Sequence, residues 1–99
     1  MDKCLLIIYS PPALEETLVD WLLEQDQLSG FSTAEAYGHG SRQEGMSLQE
    51  QVSGRQKRIQ FTLHAEQKVI TGLIEQLKIE FAGTNLHFIQ IPLTDCGSI

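Results

Sequence analysis

Cys4-Leu5-Leu6-Ile7-Ile8-Tyr9 decides the fold. It is the longest apolar run in the chain and has the length of a β-strand. Leu5 and Ile7 point to one face, Leu6 and Ile8 to the other, so both faces of this strand are apolar. Ser10, Pro11 and Pro12 end it. Proline opens a helix without losing a bond, and Glu15 and Glu16 complement the dipole of a first turn. Leu14, Leu18, Trp21, Leu22 and Gln25 keep helical spacing with one polar exception, which predicts a helix over about 12–27. Gly30 is its expected stop.

Phe31 to Tyr37 predicts a second strand, with Phe31, Thr33 and Tyr37 alternating with small residues. Gly38-His39-Gly40-Ser41-Arg42-Gln43-Glu44-Gly45 is polar and glycine-rich, and that character continues to about Gly54. A loop over about 39–54 is long for so small a domain, and loops of this kind usually carry function. Arg55 to His64 alternates as a strand: Ile59, Phe61 and Leu63 face one way, Arg58, Gln60, Thr62 and His64 the other. Ile70, Leu73, Ile74, Leu77 and Phe81 predict a helix over 66–82, punctuated by Gly83. His87 to Leu93 predicts the last strand.

The order β-α-β-β-α-β is that of an α+β, ferredoxin-like sandwich: a four-stranded antiparallel sheet with two helices on one face. Right-handed crossovers place the first strand between the third and the fourth. Both faces of the central strands carry large apolar groups, so the helix-free face is expected to be buried against other subunits.

The chain has 99 residues, room for one domain over 1–99. Its formal net charge of −6 argues against nucleic acid and against anionic membranes. No apolar run is long enough to span a bilayer, and no signal peptide is evident, so a cytoplasmic protein is expected. Two cysteines are too few for a disulfide scaffold.

Gly38-His39-Gly40-Ser41-Arg42, Gly45, Gly54-Arg55-Gln56-Lys57-Arg58-Ile59 and Pro11-Pro12-Ala13-Leu14-Glu15-Glu16 together resemble the PII signalling superfamily and its CutA-type relatives. Within it they look like a small bacterial PII-like family of unknown function, often encoded beside heavy-metal efflux pumps of the RND type. The resemblance covers nearly the whole chain. It implies a homotrimer, effectors such as an adenine nucleotide in the clefts between subunits, and a partner bound through loop 39–54. The family's genomic habit implies a membrane transporter as that partner. Gly38, Gly40 and Arg42 resemble the base of the T-loop, which helps cradle nucleotide phosphates, and Arg55, Lys57 and Arg58 look like its returning limb. In PII proteins a glycine-rich phosphate loop and a basic residue also join helix two to strand four. Here Gly83-Thr84-Asn85-Leu86 carries neither lysine nor arginine, which implies fewer phosphate contacts.

The expected anion site is therefore Gly38, His39, Gly40, Arg42, Arg55, Lys57 and Arg58. A second reading, a metal-responsive protein of CutA type, would bind a transition metal through His39, Cys4 or Cys96, although no close ligand spacing is present. Cys4 and Cys96 fall on neighbouring strand ends, which also raises a redox-linked pair. A third reading is an adaptor with no ligand. No residue pattern demands catalysis, so a non-enzymatic protein is expected.

Overall fold

The computed structural model describes residues 2–40 and 55–99. Strands β1 (Lys3–Ser10), β2 (Ser32–His39), β3 (Arg55–Glu66) and β4 (His87–Pro92) form one sheet in the order β2-β3-β1-β4, every neighbour antiparallel. Helices α1 (Glu15–Leu23) and α2 (Gln67–Glu80) join β1 to β2 and β3 to β4. This is the expected ferredoxin-like sandwich, with β1 between β3 and β4.

The core follows from alternation. Cys4, Leu6, Ile8 and Ser10 of β1 are buried, as are Ile59, Phe61 and Leu63 of β3. Leu18 and Leu22 of α1, and Ile70, Leu73, Ile74 and Leu77 of α2, close over them. Complete burial of a side chain such as Phe61 or Leu6 contributes about 1.5–3 kcal/mol from apolar transfer alone. Phe31 packs its ring 6.1 Å from that of Phe61, and Trp21 meets Phe81 edge-on at 5.8 Å. Trp21 Nε1 also donates to Glu80 Oε2 at 3.2 Å, which ties α1 to the end of α2.

The first helix is shorter than its apolar spacing predicts. Pro12–Leu14 forms a single 3-10 turn, and α1 ends at Leu23 rather than near Gln27. Acidic residues cause the early end: Glu24 and Asp26 stand where a helix dipole favours cations, and the last turn carries no basic residue. The chain tightens instead into three-residue bonds, Gln25 N–H to Leu22 O and Leu28 N–H to Gln25 O, while Gln25 Nε2 donates to Trp21 O. In contrast β3 runs two residues past His64, to Glu66. The start of α2 is held by the Gln67 amide donating to Asp2 O at 2.7 Å. Its end turns through Gly83, whose φ of +76° suits glycine.

On the helix-free face, alternation sets Leu5, Ile7 and Tyr9 of β1 beside Ile89, Ile91 and His87 of β4. Ile89 and Ile91 are 38% and 39% exposed, which leaves the apolar face anticipated from the sequence.

Candidate functional site

The expected anion site lies where β2 ends and β3 begins. The register pairs Tyr37 with Lys57, Gly38 with Gln56 and His39 with Arg55. The strand period then divides the basic residues. Arg55 and Lys57 share the helix side of the sheet with Glu35, Tyr37 and His39, while Arg58 lies on the other side with Gln56 and Gly38. The three described cations of the sequence grouping are thus divided between the two faces. Arg42 lies outside the described residues, as does most of loop 39–54.

On the helix side the cations are engaged diagonally across the strands. Arg55 Cζ stands 4.5 Å from the centre of the Tyr37 ring, and Lys57 Nζ is 3.2 Å from Glu35 Oε1. The hydrogen bond to Glu35, with its charge, raises the Lys57 pKa above the ordinary value of 10.5. Both partners remain substantially exposed, so the pair adds little to stability.

Arg58 does something different. Its Nη2 donates to Gln56 Oε1 at 2.8 Å and its Nη1 to the Asn85 carbonyl at 3.4 Å. Asn85 belongs to the link between α2 and β4, in a left-handed turn with φ of +67° that asparagine tolerates. The link has no cation of its own, and β3 brings it one. A guanidinium with five donors, two of them engaged here, retains capacity for an anion at this edge. At the same edge, among the described residues, a Cβ on Gly38 would meet only the Gln56 carbonyl at 3.8 Å, and one on Gly40 nothing within 4 Å.

Behind the link, on the helix side, a pocket of about 230 Å³ separates α2 from β4, with Ile74, Leu77, Phe81, Leu86 and Phe88 among its walls. Lys78 Nζ sits 5.6 Å from the centre of the Phe88 ring at its rim. Sequence reasoning missed Gln56, Asn85 and this pocket. The alternation of β3 was the available signal for Gln56, since it places Gln56 on the face of Arg58. The contact with Asn85 spans 27 positions and has no local signature.

His39 and Cys4, two of the metal donors named from the sequence, do not come together. His39 is anchored opposite Arg55 and Cys4 opposite Ala65, at the two ends of β3, about 33 Å apart at the rise of an extended strand. Cys4 is buried, Cys96 is half-buried, and both thiols are free. Among the described residues no three His, Cys, Asp or Glu side chains gather as a metal site. His39 and Cys4 therefore cannot share a transition metal within one chain.

The model of a family described as a protein of unknown function, DUF3240, matches residues 1–99. A crystal structure of a DUF3240 family protein from Shewanella baltica superposes with a TM-score of 0.81 at 18% identity, covering 100% of this chain and 98% of that one. A protein of Thermus thermophilus, described as PII-like and signalling, superposes with a TM-score of 0.66 at 20% identity, covering 94% of this chain and 91% of the other. Likeness at these identities establishes the fold, which is PII-like. No curated protein matches the chain. Among the described residues no helix is long and apolar enough to cross a membrane.

Proposed function

This chain belongs to the DUF3240 family, and from that premise we propose that it is a PII-like regulatory protein without a catalytic step of its own. Copies of the chain assemble as a trimer through the helix-free sheet face, and a small anionic effector, such as an adenine nucleotide, binds in the clefts between them. Effector binding alters how the segment 39–54 meets a partner protein, a membrane transporter in the reading from family resemblance. The effector must bind one state of that segment better than the other, since only differential affinity shifts an equilibrium.

One observation carries the reading: the hydrogen bond from Arg58 to the Asn85 carbonyl. It joins the base of the β2–β3 segment to the α2–β4 link and brings a guanidinium to that link, which supports an anion site there. The apolar helix-free face supports the assembly, because Leu5, Ile7, Ile89 and Ile91 would otherwise face water together.

Calorimetry with ATP, ADP, AMP and inorganic phosphate tests the effector. We expect saturable binding by at least one of them and a loss of at least about tenfold in affinity for Arg58→Ala, the scale of a charge-assisted bond. Arg42→Ala tests the second guanidinium of the sequence pattern in the same way. Affinity unchanged in both variants would reject the anion role.

A further inference from the structure

The helix-free face carries two of the chain's three histidines, His64 and His87, and we propose that they make self-association through this face sensitive to pH. Copies assemble while both imidazoles are neutral and separate when they are protonated. The inference rests on the trimer reading above and adds its regulation.

The distribution of charge identifies a second copy as the occupant of this face. A chain of net charge −6 repels its own kind. Yet of the strand residues that alternation assigns to the helix-free face, Glu66 alone is acidic, and it stands opposite Lys3. Arg58 is the other charged strand residue there. The remaining acids of the described strands and helices lie on the helix side or on the helices themselves, where Glu35, Glu75 and Glu80 are examples. Two copies can therefore approach through this face, and only weakly repelled, to bury Leu5, Ile7, Ile89 and Ile91.

Protonation reverses that advantage. His87 faces Tyr9 across the strand, with ring centres 6.3 Å apart and planes 28° from parallel. Arg58 reaches Asn85, two residues before His87. His64 faces Leu5, with Thr62 and Glu66 beside it on β3 and Lys3 diagonally placed on β1. Among the described strand residues of the face Glu66 is thus the one carboxylate that could balance an imidazolium, and Lys3 already stands opposite it. Among the described residues no helix packs on this face, and the segment that follows β4 brings Asp95 towards the Lys3 end of β1. Burial between copies would take any new positive charge on these rings out of water, which opposes assembly. The fall in net negative charge on acidification works the other way, but that long-range repulsion is screened beyond about 8 Å at physiological salt.

Each histidine that must lose its proton on assembly weakens association by up to about tenfold per unit of pH on acidification. Sedimentation at about pH 8 and pH 5.5, with circular dichroism on the same samples, provides the test. The wild-type chain should be assembled at the higher pH and folded but dissociated at the lower. H64Q/H87Q should stay assembled at both. H39Q should behave as wild type, because His39 lies on the opposite face. Wild type equally assembled at both values, dissociation only with unfolding, or a double variant as acid-sensitive as wild type would each overturn the proposal. A chain that is already monomeric at the higher pH would instead reject the trimer reading beneath it.

Discussion

Arg58 of β3 donates to the carbonyl of Asn85, at 3.4 Å and across 27 positions of sequence. The bond is long and exposed, so its contribution to stability is small. Its importance is positional: a strand leading out of the β2–β3 segment touches the link before β4.

Arg58→Ala should lower the stability of the isolated chain by no more than about 1 kcal/mol, the scale of an exposed polar interaction. Amide exchange at Asn85 and Leu86 should nevertheless quicken, because the link loses its contact with β3. Hydrogen exchange followed by mass spectrometry separates the two effects. Unchanged protection in the variant would mean that the contact holds nothing in place.

Lys57 and Glu35 give a second outcome, in alkaline solution. The folded-state pKa of Lys57 lies above its ordinary 10.5, chiefly through the hydrogen bond to Glu35. The stabilising contribution is therefore complete below that ordinary value and disappears as pH rises through the folded one. Thermal unfolding of Glu35→Gln should match wild type more closely above this window than at neutral pH. A constant difference across the range would show that the ion pair is not its source.

Phe61 lies at the centre of the core, fully buried beneath the helices and beside Phe31. Phe61→Ala should cost about 3–5 kcal/mol, the usual scale for an aromatic cavity. Chemical denaturation measures it directly. A cost below about 1 kcal/mol would mean that the two helices do not close on this sheet as described.

Gly83 is needed for its backbone and not for space. A Cβ there meets nothing within 4 Å, but φ is +76°. Gly83→Ala should therefore lose about 1 kcal/mol, and Gly83→Asn less, because asparagine tolerates the left-handed region. Equal melting temperatures for all three chains would remove the left-handed turn from the account.

Much of this architecture is legible in the residues. The two-faced apolar run of β1 and the strict alternation of β3 determine the central strands, and the helical stripe from Ile70 to Phe81 determines α2. The end of α1 is less legible, because Trp21, Leu22 and Gln25 keep helical spacing while Glu24 and Asp26 oppose the dipole. The site is legible only in part. Counting Arg55, Lys57 and Arg58 as one cluster overlooks that adjacent strand residues face opposite ways. The partner of Arg58 lies in the link that leads into β4, the strand beyond β1 in the sheet, and only the folded topology brings it near.

The mass of the full chain in solution near neutral pH tests the account most directly. Sedimentation equilibrium should give three times the 11.1 kDa chain mass, and Ile89→Lys, at a position 38% exposed within one chain, should give a folded single chain. A wild-type chain that sediments as a monomer at micromolar concentration would contradict the claim that other copies cover the helix-free face.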